Sequence, residues 1–169
     1  MKTRSYAGCV LFDWGDTLMR VYPQYAGPMA GWPQVEALPY AREALEALHP
    51  NWLLALATNA ADSDETEIRE ALARVELDTW IDRVYGFRRI GHRKPTPAFF
   101  EWILEDLDLP PSRAIMVGDD LDSDIIGALA NGLGAVWNNE YNAAVRNDVR
   151  LRKIHSLKEL PGAIEDITK

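Results

Sequence analysis

Residues 7–18 read AGCVLFDWGDTL, in which an unbroken apolar run, residues 7–12, leads directly to Asp13. Because apolar and polar residues do not alternate in this run, it predicts a strand buried on both faces from Ala7 to Phe12. Strands of this kind belong to parallel sheets that helices cover on both sides. Open parallel sheets bind ligands beyond the carboxyl ends of their strands. Asp13, which follows the strand directly, is therefore the first candidate site residue.

Apolar segments and segments of helical periodicity alternate along the rest of the chain. The predicted strands span 7–12, 52–57, 83–87, 114–117 and 135–137. The predicted helices span 37–48, 63–75 with Ser63 as N-cap, 97–107 with Thr96 as N-cap, 122–130 and 156–160. This alternation predicts an α/β fold, a three-layer Rossmann-like parallel sheet with helices on both faces, in a single domain over 1–169. Three prolines and two glycines punctuate residues 19–36, which are interpreted as a short flap.

Composition excludes several classes of protein. The net charge of −8 argues against non-specific nucleic-acid binding, because an acidic surface repels a phosphate backbone. The single cysteine, Cys9, cannot form an internal disulfide. The short apolar run near the N-terminus reaches Asp13 too soon for a signal peptide, and no apolar stretch is long enough to span a membrane. We expect a cytoplasmic protein that binds neither nucleic acid nor membrane.

Acidic, hydroxyl and basic residues follow the predicted strands. The residues after the strands are Asp13, Gly15, Asp16 and Thr17 for the first, Thr58 and Asn59 for the second, Lys94 for the third, and Asp119, Asp120, Asp122 and Asp124 for the fourth. Crowded carboxylates repel one another unless a cation joins them, and carboxylate oxygens favour Mg²⁺. Lys94 is the only lysine between residues 3 and 152, and a compact positive charge suits a phosphate group.

These segments resemble the four motifs of the haloacid dehalogenase-like hydrolases. The resemblance rests on FDWGDTL at 12–18, ATN at 57–59, KP at 94–95 and VGDD at 117–120 with Asp124, each directly after a predicted strand. Membership implies a Mg²⁺-dependent phosphatase without a cap domain, because neither usual cap position has room for one. It also implies a phosphorylated substrate, whose identity the motifs do not specify.

The resemblance assigns a role to each motif residue. Asp13 would be the nucleophile and form an aspartyl-phosphate, while Thr58 and Lys94 complete the catalytic set. Mg²⁺ would be held by Asp13, Asp119 and the backbone carbonyl of Gly15. The remaining assignments are phosphate binding by Thr58, Asn59 and Lys94, and a supporting role around the metal for Asp120 and Asp124.

One residue departs from the family pattern. Gly15 stands where family phosphatases carry the aspartate that protonates the leaving group, and losing such a group typically slows a reaction by about 10²–10⁴-fold. Asp16, one position later, is either a turn residue or a substitute acid. Two hypotheses follow: a phosphatase of low rate, or a degenerate module that binds metal and phosphate in regulation. A dehalogenase is a distant third, and the chain is expected to be a monomer or homodimer.

Overall fold

One sheet of parallel strands organises the computed structural model, which describes residues 5–141 and 147–169. Its strands are β1 (Cys9–Phe12), β2 (Leu53–Ala57), β3 (Arg83–Tyr85), β4 (Ala114–Gly118), β5 (Gly134–Asn138) and β6 (Leu151–Ile154). Their spatial order is β3-β2-β1-β4-β5-β6. The predicted α/β architecture is confirmed. The span 1–169 predicted for a single domain includes residues 1–4 and 142–146, which lie outside the described part of the chain.

The topological switch point lies between β1 and β4. From β1 the chain moves outward on one side through β2 and β3, and then returns to the other side of β1 to form β4. Phe12 at the end of β1 lies opposite both Leu56 of β2 and Val117 of β4. The segments after these three strands therefore meet at one edge of the sheet, where ligands bind in folds of this class.

Helices cover both faces of the sheet. They are α1 (Ala41–Leu48), α2 (Glu65–Arg74), α3 (Phe87–Ile90), α4 (Pro97–Leu107), α5 (Gly127–Ala130) and α6 (Leu160–Thr168), and a π-helical segment, Leu121–Ile126, runs directly into α5. Because alternate strand residues point to opposite faces, Val10 and Phe12 pack with α1, α2 and α6, whereas Cys9 and Leu11 pack with α3, α4 and α5.

The prediction of five strands was wrong, because the sheet has a sixth. Strand β6 lies at the sheet edge beside β5, with Trp137 opposite Lys153. Only the two terminal residues of β6, Leu151 and Ile154, are buried, whereas Arg152 and Lys153 between them are partly exposed. A strand of four residues with two charged residues at its centre has too weak an apolar pattern to be recognised from the sequence.

Several predicted helix boundaries also require correction. Helix α1 begins at Ala41 rather than at residue 37, because Tyr40 has a left-handed backbone with φ of 64°. The N-cap of α2 is Asp64, which forms a reciprocal capping box with Glu67, while the predicted cap Ser63 is buried. Helix α3 occupies residues that were assigned to the third strand and the loop after it.

No separate folded unit interrupts the sheet within the fully described segments between β1 and β2 and between β2 and β3. The first segment contains the flap and α1, and the second contains α2 and a short 3₁₀ turn. Along the described parts of the chain, no helix combines the length and the apolar character that crossing a bilayer requires.

Candidate active site

Three carboxylates meet beyond the ends of β1 and β4. The backbone N–H of Asp13 donates to the carbonyl oxygen of Val117 at 2.9 Å, which holds the residue against β4. Asp119 follows β4 directly, and Asp124 lies in the π-helical segment. One carboxylate oxygen from each of the three residues lies within 4.8 Å of the others. The sheet therefore concentrates negative charge at the switch point, as the sequence predicted.

The Lys94 side chain lies between two of these carboxylates. Its Nζ donates to Asp13 Oδ1 at 2.9 Å and to Asp124 Oδ1 at 2.7 Å, and only 2% of the side chain is exposed. Burial alone would lower the pKa of Lys94, but the charges of Asp13 and Asp124 outweigh it and hold that pKa above its ordinary value. Lys94 therefore stays protonated and orients the Asp13 carboxylate.

Asp124 is fixed on both of its oxygens. While Oδ1 accepts from Lys94, Oδ2 accepts the backbone N–H of Asp120 at 3.1 Å. Gly118 leaves room for this carboxylate, because a Cβ at residue 118 would lie 2.1 Å from Asp124 Oδ2. Burial raises the pKa of Asp124 to about 6 despite the neighbouring ammonium group. These two contacts place Asp124 to hold the Lys94 ammonium group.

Replacing Lys94 with methionine should lower the free energy of unfolding by about 3–5 kcal/mol, because it leaves two carboxylates without their shared cation. The loss should shrink on acidification, since Asp124, whose pKa burial already raises to about 6, can then take up a proton. Chemical denaturation at pH 8 and pH 5 measures both effects. Lys169→Met is the control, because the Lys169 side chain is 66% exposed and its ion pairs with Glu165 and Asp166 are screened by solvent. Equal losses for the two variants would contradict the prediction.

The pKa of Asp119 is raised further than that of Asp124. Burial, followed by the nearby charge of Asp13, raises its pKa from an ordinary 3.8 to about 7. The Thr17 hydroxyl donates to Asp119 Oδ1 at 3.1 Å and more weakly to Asp13 Oδ2 at 3.4 Å, so it ties the two side chains together. Two adjacent carboxylates with hard oxygen donors and mutual repulsion fit a divalent cation such as Mg²⁺.

Asp119→Asn should stabilise the metal-free protein at pH 8. A carboxyl whose folded-state pKa is raised favours folding at low pH, and that contribution is lost as the pH rises through about 7. Because Asp119 is partly exposed, we expect a gain on the order of 1 kcal/mol, or about 2–4 °C in Tm. Thermal unfolding at pH 6 and pH 8, with and without Mg²⁺, measures the effect.

The same thermal-unfolding measurements also test the proposed metal site. Mg²⁺ should stabilise the native protein more at pH 8 than at pH 6 and have little effect on the Asp119→Asn variant. The matched control is Asp122→Asn, which removes one negative charge from the neighbouring π-helical segment. An equal Mg²⁺ response in native protein and Asp119→Asn would exclude Asp119 as a ligand.

Asn59 connects the segment after β2 to the Lys94 backbone. Its Oδ1 accepts the Lys94 N–H at 2.8 Å, and its Nδ2 donates to the Lys94 carbonyl at 3.1 Å. These two hydrogen bonds fix the backbone from which the Lys94 side chain extends. The sequence does not predict this role for Asn59. Thr58 is buried, and its Oγ1 accepts the N–H of Ala60 at 3.1 Å. The phosphate-binding roles of Thr58, Asn59 and Lys94 stay predictions.

The carboxylates of Asp16 and Asp120 both accept hydrogen bonds from backbone N–H groups nearby in the sequence. Asp16 has a left-handed φ of 55°, and its Oδ1 accepts the N–H of Val21 at 2.9 Å, as a turn residue would. Asp120 Oδ1 accepts the N–H of Ser123 at 2.8 Å and caps the π-helical segment. The acid–base role predicted for Asp16 and the supporting role around the metal predicted for Asp120 stay predictions. Gly15 lies between Asp13 and Asp16 with Val21 packed over it, so that a Cβ at residue 15 would lie 2.7 Å from Val21 Cγ2.

An open cleft of about 530 Å³ leads to Asp13. One wall comes from the flap and the other from the segment after β2. It is lined by Asp13, Trp14, Gly15, Val21, Gly27, Met29, Trp32, Thr58, Asn59, Ala60, Ala61 and Asp62. The flap is held in place, because Met29 and Trp32 are buried and Arg74 Nη1 donates to the carbonyls of Ala30 (3.0 Å) and Trp32 (2.7 Å).

A model of the haloacid dehalogenase-like hydrolases matches residues 13–132, well over half of the chain and all four motif segments. The chain belongs to the haloacid dehalogenase-like hydrolases. In this family member the four motifs come together at one edge of the sheet, as the sequence resemblance implied. Thr17 is the residue whose bridging contact the sequence analysis missed, although its place in the first motif was a signal for it.

Several known proteins are similar to this haloacid dehalogenase-like chain. A ribulose-1,5-bisphosphate 5-phosphatase from Halopiger xanaduensis is 38% identical over 105 residues, covering 61% of this chain and 42% of its own length. A glyceraldehyde 3-phosphate phosphatase from Pyrococcus furiosus is 35% identical over 98 residues, covering 57% and 40%. The chain thus spans about two fifths of the length of these curated relatives.

A solved structure supports the fold over nearly the whole length. A protein from Listeria monocytogenes superposes with a TM-score of 0.81 at 25% identity, covering 95% of this chain and 98% of its own. The arrangement of the haloacid dehalogenase-like sheet therefore extends beyond the residues that the family model matches.

Proposed function

We propose that this chain is a Mg²⁺-dependent phosphohydrolase that uses Asp13 as its nucleophile. The observation that carries the proposal is the position of Lys94, buried with its Nζ between Asp13 Oδ1 and Asp124 Oδ1. A buried ammonium group in this position orients the Asp13 carboxylate, leaves its other oxygen for attack and offers positive charge to a bound phosphate.

The reaction that follows has two displacements. Asp13 Oδ2 attacks phosphorus, the ester P–O bond breaks, and the leaving oxygen takes the electron pair and a proton from solvent. Water then attacks the phosphorus of the aspartyl-phosphate, the bond to Asp13 breaks, and inorganic phosphate departs. The Thr58 hydroxyl and the Asn59 N–H would bind phosphate oxygens through both steps.

Asp13, Asp119 and the Gly15 carbonyl would hold Mg²⁺ in this proposal. When bound, Mg²⁺ offsets the negative charge of the phosphoryl group and of the carboxylates around it. Burial and then the charge of Asp13 raise the pKa of Asp119 to about 7, and this supports the donor set because a bound cation would offset the crowded negative charge. Thr17 keeps the Asp119 carboxylate beside Asp13.

The names of the relatives support small phosphorylated compounds as substrates. Two of them are by name a ribulose-1,5-bisphosphate 5-phosphatase and a glyceraldehyde 3-phosphate phosphatase. Since this chain spans only about two fifths of their length, the substrate itself does not transfer with the name. A phosphate monoester is the class that the proposed chemistry requires.

A second candidate function is a regulatory module that binds metal and phosphate without useful turnover. Gly15 favours it, because no carboxylate stands at the family's acid–base position. The two candidates share the same fold and the same metal site. They differ in the rate at which the leaving group departs and in the lifetime of phosphorylated Asp13.

The experiment is hydrolysis of a broad panel of phosphate monoesters by the native protein, with Mg²⁺ and with a chelator. Rapid quenching and mass spectrometry follow phosphorylated protein in the same samples. Metal-dependent phosphate release through transient phosphorylation of Asp13 supports the enzyme. Stable phosphorylation or tight Mg²⁺ and phosphate binding without release supports the regulatory module. Halide release from a haloacid without metal would overturn both.

A further inference from the structure

The cleft that leads to Asp13 has apolar walls. Its flap side is formed by Val21, Met29 and Trp32, and its other side by Ala60 and Ala61. Val21 is 38% exposed, so its side chain meets whatever enters the cleft. Apolar walls of this kind favour a ligand that brings its own apolar surface, because contact removes that surface from water.

The charges along the cleft have one sign. Among the described residues that line it, the charged side chains are Asp13 at the inner end and Asp62, which is exposed. Arg88 contacts the backbone carbonyls of Ala61 and Asp62. Its Nε donates to the carbonyl of Ala61 at 3.1 Å, its Nη2 approaches the Asp62 carbonyl at 3.5 Å, and its Nη1 lies 3.9 Å from Glu67 Oε2.

The positive charge of the site lies at the inner end of the cleft. Lys94 is buried against Asp13 and Asp124, and the proposed metal would be held there by Asp13, Asp119 and the Gly15 carbonyl. A second anionic group on the substrate would lie farther out in the cleft. There it would face Asp62 and lose hydration against apolar walls, with no cationic side chain lining the described part of the cleft to receive it.

We propose that the substrate is a phosphate monoester whose leaving group is uncharged and carries an apolar or aromatic portion, and that Asp62 selects against a second anionic group. This inference rests on the proposed phosphatase function. The substrate proposed here differs from that of the similar ribulose-1,5-bisphosphate 5-phosphatase, whose name specifies a substrate with two phosphates.

The test compares two nearly isosteric esters, 4-carbamoylphenyl phosphate and 4-carboxyphenyl phosphate, in the presence of Mg²⁺. The amide is neutral where the acid carries a negative charge. At low ionic strength we expect kcat/KM to be about tenfold or more higher for the amide. The preference should weaken as salt is added, because salt screens the repulsion from an exposed carboxylate.

Asp62→Asn should narrow the preference for the amide to about threefold or less, since it removes the repelling charge. Asp108→Asn is the control for net charge, because residue 108 lies at the end of α4 away from the cleft and asparagine tolerates its left-handed backbone. The control should keep the full preference. Equal kcat/KM for the two esters with native protein would overturn the inference and leave the phosphatase standing.

Binding to an Asp13→Asn variant with Mg²⁺ tests the inference independently of turnover. By calorimetry the amide should bind about tenfold more tightly than the acid, and phenyl phosphate more tightly than methyl phosphate. Val21→Thr should weaken phenyl phosphate about threefold without changing methyl phosphate. Equal affinities within each pair would overturn the inference. Failure of native protein to hydrolyse any ester, together with the expected binding order, would overturn the phosphatase alone.

Discussion

Asp13→Asn should abolish hydrolysis of every phosphate monoester that the native protein cleaves, a loss of about 10⁴-fold or more in kcat. An amide oxygen is a poor nucleophile and cannot form the aspartyl-phosphate. Folding should persist, because Lys94 keeps its 2.7 Å ion pair with Asp124 and the repulsion between residues 13 and 119 is relieved. Initial rates of phosphate release, with thermal unfolding of the same samples, measure both effects.

Asp16→Asn is the matched control for this loss. Asparagine tolerates the left-handed φ of 55° at residue 16, and its amide oxygen can still accept the Val21 N–H. We expect kcat within about twofold of native. A loss of about 100-fold would instead identify Asp16 as the substitute acid. Substantial turnover by Asp13→Asn would show that the nucleophile has been assigned to the wrong residue.

Gly15→Asp combined with Val21→Ala should raise kcat by about 10²–10⁴-fold. The aspartate restores a group that can protonate the leaving oxygen and then activate water. The second substitution is needed because a Cβ at residue 15 would lie 2.7 Å from Val21 Cγ2. The backbone itself permits the change, since Gly15 is not among the glycines with positive φ.

Gly15→Asn with Val21→Ala is the isosteric control, because it supplies the same volume without an ionisable group. Burst-phase kinetics should show faster release of the first product and faster loss of phosphorylated Asp13 in the aspartate variant alone. If native protein is inert and the aspartate variant turns over, the regulatory module is the better description of the natural chain. Equal rates for the asparagine and aspartate variants would exclude residue 15 as the position of the missing acid.

The α/β architecture was predictable because its signals are local. Apolar runs such as residues 7–12 and 53–57 lack alternation, and helical spacing lies between them, so strand type and sheet type follow from short segments. Strand β6 escaped prediction because its burial comes from pairing with β5 and not from its own composition. Helix α1 was predicted too long because the left-handed backbone at Tyr40 leaves no periodic signal.

The candidate site was predictable in its residues but not in their contacts. Strand ends identified Asp13, Asp119 and Lys94 as neighbours, since parallel strands bring their carboxyl ends to one edge. The sequence predicts phosphate binding for Asn59, but it does not predict that the Asn59 side chain forms two hydrogen bonds with the Lys94 backbone, 35 positions away. No local pattern encodes such a contact.

The sequence by itself determined which chemical groups this protein has and which strand each group follows, because periodicity and turn residues act over a few positions. Only the tertiary structure decided how those groups act on one another. Lys94 and Asp13 are 81 residues apart in the sequence and yet form an ion pair with a distance of 2.9 Å between Nζ and Oδ1. The pKa of Asp119 rises to about 7 because the fold buries its carboxyl and places Asp13 beside it. Coulombic interaction and desolvation depend on distance through space and on access of water, and both exist only once the chain has folded.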